Sequence, residues 1–292
     1  MLKFQYIDTI LAEMYAKSRE SKMKNRRLLI QLFIIAAMLA MSTSLAFAAD
    51  YFDFTDAGKG IVHVTYKSSS TAKVKVMIEK SPSRYVYDIN SSGITENFSL
   101  QSGSGTYKIS LLRNTGGNSY ALVSAKSFDA KITNANSVYL NSIQNVSFNV
   151  DSAAVKKAVE LTKGTDDIGE KARLLWDYMA KNNKYDFKKL STIRSYYVPV
   201  VDDTLRDKTG ICYDFSSLFA AMLRSQGIPA KLVKGYAPNY ATGYHAWNEV
   251  YDAASKSWVI IDSTYDLQVI KVKPSAVTMF KKSSEYQKIY EY

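Results

Sequence analysis

Between residues 51 and 150, apolar and polar residues alternate in short runs, a period typical of half-buried β-strands. The runs are separated by turns rich in Ser, Gly and Asn, at Ser68–Ser70, Ser91–Gly93 and Asn114–Asn118. The strands predicted on this basis are Ile61–Tyr66, Ala72–Ile78, Arg84–Ile89, Gly105–Leu112 and Tyr120–Phe128. Short strands at this spacing predict a small antiparallel β-sandwich over residues 51–150.

From about Asp151 onward, the apolar residues take a helical spacing instead. Ser152–Leu161 is predicted as one helix, and the acidic pair Asp166/Asp167 is predicted to cap a second helix that runs to about Ala180. The apolar stripe of that second helix, which we expect to face the core, consists of Ile168, Ala172, Leu175 and Met179.

A third helix is predicted to begin near Cys212 and to end at Gly227, with Pro229 just beyond it. Its apolar residues fall on one helical face and are Phe215, Leu218, Phe219 and Met222. The strands predicted to follow are Ala230–Tyr236, Tyr244–Tyr251 and Trp258–Asp262. This order predicts an α+β domain over residues 151–292, in which the helix bearing Cys212 packs on an antiparallel sheet.

The N-terminal segment has the layout of a secretory signal peptide. A basic cluster at positions 24–27 precedes an apolar stretch over residues 28–41, and Ala46-Phe47-Ala48 offers a small-x-small cleavage site. The apolar stretch is short for a membrane-spanning helix, which favours cleavage after Ala48. We therefore expect residues 1–48 to be a signal peptide, and the protein to be secreted or associated with the cell envelope. Either translation starts at Met23, or the residues before it form a cytoplasmic tail on a membrane anchor.

Composition narrows the functional classes. The chain carries 38 Lys and Arg residues against 27 Asp and Glu residues, a formal net charge of +11. The basic residues are scattered and no nucleic-acid-binding motif accompanies them, so we expect no nucleic-acid partner. A solvated basic surface and a weak attraction to an anionic cell envelope both remain open. With two histidines and one cysteine the chain has too few ligands for a zinc site, and we expect neither a metal nor another cofactor.

Cys212 is the only cysteine in the chain, so it has no partner for an intramolecular disulfide. If a helix begins near Cys212, the sulfur lies over its first turn, where free N–H groups and the helix dipole favour a thiolate. Gly210 is expected to permit an unusual backbone angle and a close approach by a substrate. The alternative is that Cys212 is a small buried hydrophobic residue, as most free cysteines are.

His245 and Asp262 lie on two predicted strands joined by a few residues, so a β-hairpin is the simplest arrangement. If Asp252 pairs with Ser255, His245 stands directly opposite Asp262. If Asp252 pairs with Ser257, the two are diagonal neighbours on one face, and either register lets the carboxylate reach the imidazole. Cys212, His245 and Asp262 would then form a triad in which the carboxylate orients the imidazole and the imidazole activates the thiol.

Several segments around these residues resemble the bacterial transglutaminase-like domain, in its order and at its spacings. The segments are Gly210–Phe215, Met222–Ala230, Gly235-Tyr236, Tyr244–Val250 and Trp258–Thr264. The resemblance covers about residues 165–266 and implies a papain-like α+β fold, with Cys212 as nucleophile, His245 as acid/base and Asp262 as orienting carboxylate. One departure is Ser263, where relatives commonly have proline. No motif of the family was matched in residues 51–150.

The resemblance implies thiol acyl transfer on protein or peptide amides at the cell envelope, with crosslinking, deamidation or hydrolysis as the outcome. The oxyanion is expected to be bound by the Cys212 backbone N–H and by a second donor, for which Tyr196 or Tyr197 is a candidate. Trp247 is expected to shield the site or to pack in the core. The alternative from another class is a non-catalytic surface binding or adhesion module on the same scaffold, which predicts an unreactive Cys212.

Overall fold

The computed structural model describes residues 51–194, 196–237 and 243–292. The predicted signal peptide, its cleavage site and Met23 lie outside the described residues. Within these ranges, no helix is both long enough and apolar enough to cross a membrane. The described residues all belong to one compact unit, Asp50–Tyr292.

Two antiparallel sheets form the β-rich region. The strands are β1 (Phe52–Asp53), β2 (Ile61–Lys67), β3 (Val74–Lys80), β4 (Ser83–Ile89), β5 (Ser92–Ser99), β6 (Gly105–Gly116) and β7 (Ser119–Ala130). One sheet has the order β1-β2-β5 and the other the order β4-β3-β6-β7. Buried Val62 and Phe98 of the first sheet and Val76 and Ile109 of the second belong to one hydrophobic core. The five predicted strands are confirmed, within a few residues at their ends.

Strand β5 lies where the sequence pattern predicts a turn. The predicted turn at Ser91–Gly93 is confirmed at Ser91, where the chain bends, but is wrong for Ser92 and Gly93, because β5 begins at Ser92 and pairs with β2 as far as Ser99. The first half of β5 is largely polar and solvent-facing, and its buried residues come only at the end, at Phe98 and Ser99. A strand without a buried alternating face has no hydrophobic period to detect.

Six α-helices occur in the described residues from 153 onward, between further strands. They are α1 (Ala153–Thr162), α2 (Ile168–Asn182), α3 (Phe187–Thr192), α4 (Val201–Asp207), α5 (Cys212–Ser225) and α6 (Ser263–Val269). Asp167 caps α2 as predicted, since its side chain accepts a hydrogen bond of 2.7 Å from the backbone N–H of Glu170. The predicted core stripe of α2 is buried from Ala172 onward. It is wrong for Ile168, which is 44% exposed and lines a surface groove.

The cysteine-bearing helix α5 packs against a five-stranded antiparallel sheet. Its predicted apolar face is confirmed, because Phe215, Leu218, Phe219 and Met222 are all fully buried. Gly227 follows the helix with a φ of 75°, a left-handed angle that favours glycine and ends the helix as predicted. The sheet has the order β13-β12-β11-β10-β14. Its strands are β10 (Ala230–Tyr236), β11 (Tyr244–Asp252), β12 (Ser257–Ile261), β13 (Phe280–Lys281) and β14 (Gln287–Glu291). A separate parallel pair joins β8 (Lys184–Tyr185) to β9 (Thr209–Gly210).

Buried polar contacts fix α5 in place along its length. Ser217 donates a hydrogen bond of 2.7 Å to the backbone carbonyl of Asn145, which follows the β-rich region. Near the other end of the helix, Arg224 donates to the backbone carbonyls of Asn141, Ala230 and Tyr292 at 2.7, 2.9 and 2.8 Å. Burial lowers the pKa of Arg224 to about 9, and each of its three nitrogens donates to one of the three carbonyls. The first residue of α5, Cys212, is therefore held at a defined place beside the sheet.

Candidate active site

Cys212 is half-buried and is the first residue of α5. The turn that contains it is fixed by Asp214, whose carboxylate accepts a hydrogen bond of 2.8 Å from the backbone N–H of Ile211. The same carboxylate is fully buried, accepts a hydrogen bond from the hydroxyl of Tyr197 and pairs with Nζ of Lys189 at 2.7 Å. The sulfur therefore lies at a rigid helix start, where the helix dipole favours negative charge.

Gly210 has a different role from the predicted one. Its φ lies outside the left-handed region, so no unusual backbone angle requires glycine here. A Cβ atom at this position would instead lie 2.8 Å from Cβ of Asp214 and 2.9 Å from its Oδ2. Glycine is needed because the Asp214 side chain approaches the backbone before Cys212 so closely.

The hairpin of β11 and β12 has the second of the two predicted registers. Asp252 pairs with Ser257, which makes His245 and Asp262 diagonal neighbours. Nε2 of His245 lies 2.9 Å from Oδ2 of Asp262, and both side chains are buried. The expected contact between imidazole and carboxylate is therefore present.

Asp262 lies one residue past β12 and caps α6, so its predicted place inside the strand is wrong. Its Oδ1 accepts a hydrogen bond of 2.9 Å from the backbone N–H of Tyr265. Its Oδ2, which faces His245, also accepts a hydrogen bond of 2.9 Å from the hydroxyl of Tyr286. Burial alone raises the pKa of Asp262, but the charge and hydrogen bond of His245, together with these two donors, hold it below its usual range. The group is therefore a carboxylate at neutral pH.

His245 connects the thiol to the carboxylate. Burial lowers the pKa of His245, but the charge and hydrogen bond of Asp262, followed by the hydrogen bond and charge of Cys212, raise it to about 9. Because Nε2 faces Asp262, Nδ1 is the nitrogen that would exchange a proton with the sulfur. An imidazole in this position can take the thiol proton and remain an imidazolium at neutral pH. The structure thus brings together all three residues of the predicted triad.

The two tyrosines suggested as second oxyanion donors have other contacts. The hydroxyl of Tyr197 donates to Asp214. Tyr196 is 45% exposed, and its ring centroid lies 5.7 Å from Nζ of Lys73 in the β-rich region. The recorded contacts of these two tyrosines are therefore with residues other than Cys212.

Tyr185 contacts Cys212 and was missed by the sequence reasoning. It pairs with Gly210 in the parallel bridge of β8 and β9, which brings it close to Cys212. Its pKa responds to the backbone and the side chain of Cys212, which places its hydroxyl beside that residue. Burial, followed by the charge of Cys212, raises the pKa of Tyr185 above its usual range, so the hydroxyl stays protonated and can donate. No sequence pattern signals a two-residue parallel bridge between residues so far apart.

Trp247 covers one side of the imidazole. Its ring is buried and lies 6.2 Å from the ring of His245 and 5.0 Å from the ring of Tyr286, centroid to centroid. Trp247 therefore packs in the core and also shields His245 from water.

Comparison with known proteins gives one family profile and two curated relatives that match part of the chain. The sequence profile of the transglutaminase-like superfamily matches residues 155–263. The uncharacterised protein YebA of Bacillus subtilis (strain 168) is 32% identical over 124 residues, which cover 37% of this chain and 17% of YebA. A protein-glutamine gamma-glutamyltransferase of Pseudomonas aeruginosa is 33% identical over 98 residues, which cover 30% of this chain and 14% of that protein. The matches thus span less than a fifth of either relative.

Among solved structures, the periplasmic domain of TgpA from Pseudomonas aeruginosa aligns with a TM-score of 0.36 and 14% sequence identity. That alignment covers 76% of this chain and 94% of the TgpA domain.

Proposed function

Residues 155–263 form a domain of the transglutaminase-like superfamily, and on this premise we propose that the protein is a thiol acyltransferase that acts on carboxamides. Cys212 would be the nucleophile, His245 the acid/base and Asp262 the carboxylate that orients the imidazole. The observation that carries this proposal is the position of His245. Its pKa responds to the Cys212 thiol, which places the imidazole beside the sulfur, and its Nε2 lies 2.9 Å from Oδ2 of Asp262.

In the proposed reaction, the sulfur of Cys212 attacks the carbonyl carbon of a glutamine-type or peptide amide, and a C–S bond forms. The C–N bond then breaks, and the imidazolium of His245 gives its proton to the departing nitrogen, so that ammonia or an amine leaves a thioester. A lysine amine or a water molecule attacks the thioester, His245 takes the proton of the attacking group, and the thiolate is released. An amine would yield a crosslink, whereas water would yield deamidation or hydrolysis.

Two donors would bind the oxyanion that forms in this reaction. The first is the backbone N–H of Cys212, at the start of α5. The second is the hydroxyl of Tyr185, which is protonated and lies beside Cys212. Donors fixed beside the attacking atom stabilise charge that develops only in the transition state.

The enzyme is also proposed to act outside the cytoplasm. The support is the succession of basic, apolar and small residues over positions 24–48. N-terminal sequencing of protein recovered from the medium or the cell envelope should begin at Ala49. A mature chain that keeps residues 28–41 would instead indicate an anchor.

The Cys212→Ala variant tests the chemistry. The wild-type protein should incorporate a primary-amine probe into envelope proteins, or release ammonia or an amine from peptide amides. The variant should lose this activity by roughly a thousandfold or more, with an unchanged circular dichroism spectrum and unfolding midpoint. Because Cys212 is the only cysteine, iodoacetamide labelling of the native protein reports on this residue alone.

Two outcomes would contradict the proposal. Turnover by Cys212→Ala at the wild-type rate would show that another group reacts. A native Cys212 that resists iodoacetamide, and that reacts only after unfolding, would favour a non-catalytic binding module instead.

A further inference from the structure

Lys234 is a half-buried lysine beside the candidate active site. It lies on β10, opposite Ala246 of β11 and Tyr290 of β14. Its Nζ lies 3.5 Å from the ring centroid of Tyr213, the residue after Cys212. No carboxylate in the described part of the chain forms an ion pair with it.

Other lysines of the same sheet differ from Lys234 in this respect. Lys231 pairs with Glu249 and Glu291 at 3.6 and 3.0 Å, and Lys288 pairs with the same two residues at 2.8 and 2.7 Å. Burial lowers the pKa of Lys234 to about 8, and the charge of Cys212 opposes this effect. The rings of Tyr213 and Tyr292, whose centroids lie 3.5 and 5.2 Å from Nζ of Lys234, give cation–π contacts but no negative charge. The ammonium group therefore lacks a counter-ion in a partly buried place, which is unfavourable.

Exposed tyrosines surround Lys234 on the same face of the sheet. Tyr290 is its strand partner, Tyr236 follows two residues later on β10, and Tyr244 pairs with Tyr236. Their exposed fractions are 40%, 48% and 47%, respectively. Burial, followed by the proximity of Tyr290, Tyr236 and Cys212, raises the pKa of Tyr244. The lysine and its tyrosine rim therefore adjoin the thiol.

We propose that Lys234, with Tyr236, Tyr244 and Tyr290, forms a subsite for a carboxylate of the acyl-donor substrate, close to the amide that Cys212 attacks. The proposal rests on the proposed function. A carboxylate that enters here supplies the missing counter-ion of Lys234, while the tyrosine rings cover apolar atoms and the hydroxyls of Tyr236 and Tyr290 donate hydrogen bonds. The substrate class is an amide with a carboxylate nearby, such as a glutamine beside an acidic residue or a free C-terminus.

A pair of alkylating reagents tests the subsite without knowledge of the substrate. Iodoacetate and iodoacetamide both lose iodide as the sulfur forms a C–S bond, but only iodoacetate carries a carboxylate. The ratio compared is the rate with iodoacetate divided by the rate with iodoacetamide. On wild-type Cys212 this ratio should be about tenfold or more higher than on N-acetylcysteine. Lys234→Met should remove this excess, and Lys234→Arg should keep it. Lys108→Met removes the same charge from an exposed position on β6 and should leave the ratio unchanged.

The outcomes distinguish two roles for Lys234, the binding of a substrate carboxylate and the stabilisation of the Cys212 thiolate. If the ratio does not fall in Lys234→Met, or the wild-type ratio equals that of N-acetylcysteine, the subsite is wrong. If the pH profile of iodoacetamide alkylation shifts in Lys234→Met while the rate ratio of the two reagents is unchanged, Lys234 stabilises the thiolate instead. If the variant fails to fold, the comparison of the wild-type ratio with that of N-acetylcysteine still tests the subsite.

A turnover measurement extends the test to amides. Acetyl-Gln-Gly with a free carboxylate should show a raised KM in Lys234→Met, whereas its C-terminal amide should not. An active wild type with no preference for the free acid overturns the subsite alone. Failure of the proposed function appears separately, as activity that survives in Cys212→Ala.

Discussion

The hydroxyl of Tyr286 donates a hydrogen bond of 2.9 Å to Oδ2 of Asp262, the same oxygen that lies 2.9 Å from Nε2 of His245. Burial, followed by the charge of Asp262, raises the pKa of Tyr286 above its usual range, so the hydroxyl remains a donor. Tyr286 lies in the C-terminal segment, outside the residues 155–263 that match the family profile. The environment of the candidate carboxylate is therefore completed by a part of the chain beyond the recognised domain.

Tyr286→Phe should slow amide turnover by about tenfold, because the loss of a hydrogen bond to a buried carboxylate costs about 1–3 kcal/mol. Without this donor the pKa of Asp262 rises, so the acid limb of the pH–rate profile should move to higher pH. Rates measured across the acid range check both effects.

The matched control is Tyr251→Phe. Tyr251 packs against Trp258 on the same hairpin, with ring centroids 5.5 Å apart, and should affect neither the rate nor the profile. A Tyr286→Phe variant that is less stable but has an unchanged pH profile would show that Tyr286 only supports the fold.

The stability of the protein should fall as the pH rises from about 6.5 to about 9. His245 has a pKa of about 9 in the fold against a reference value of 6.5, so the folded protein binds this proton more tightly than the unfolded chain. The contribution of this proton to the free energy of unfolding is fully present below pH 6.5 and is lost as the pH rises through 9. Since one unit of pKa corresponds to about 1.4 kcal/mol, the shift of His245 from 6.5 to about 9 limits the loss to about 3–4 kcal/mol.

Urea unfolding of the wild type and of His245→Gln at several pH values measures this contribution. The wild type should lose free energy of unfolding over the stated window, and the variant should lose much less. His63 is present in both proteins and cancels from the comparison. Equal losses in the two proteins would show that the pair of His245 and Asp262 does not hold the proton.

The helix α5 and its neighbours were predictable because their signals are local. A fully buried apolar face and the stop at Gly227 identify α5 without knowledge of the rest of the fold. The hairpin that carries His245 was predictable for the same reason. The register of this hairpin could not be predicted, because both possible registers place His245 and Asp262 on one face.

The contacts of Tyr185 and Tyr286 depend on parts of the chain that no local pattern relates to Cys212. Tyr185 reaches the thiol through a two-residue parallel bridge, and Tyr286 reaches Asp262 from the segment between two short strands at the C-terminal end. Such pairings follow from tertiary packing, which the periodicity of a single segment does not contain. The unpaired state of Lys234 is likewise visible only once its neighbours are placed.

Gly210→Ala should destabilise the start of α5 by about 1–3 kcal/mol, as overpacking of a buried site does. The new methyl group would lie 2.8 Å from Cβ of Asp214, which cannot move freely because it is buried and bonded to Ile211, Tyr197 and Lys189. A displaced helix start should also slow the alkylation of Cys212. Thermal unfolding and iodoacetamide labelling measure the two effects.

Gly164→Ala is the control for this substitution. No atom lies within 4 Å of a Cβ at Gly164, so this variant should keep wild-type stability and labelling. If Gly210→Ala is as stable as Gly164→Ala, the close approach of Asp214 does not constrain the helix start.

Tyr185→Phe should reduce amide turnover by about a hundredfold, as the loss of one oxyanion donor does in acyl transfer. Alkylation by iodoacetamide forms no oxyanion, so its rate should change little. Tyr178→Phe, on α2 with its ring 5.9 Å from Nζ of Lys157, should change neither rate. Wild-type turnover in Tyr185→Phe would exclude the oxyanion role. An equal fall in turnover and alkylation would instead show that the Tyr185 hydroxyl, whose pKa responds to the Cys212 side chain, acts on the thiol.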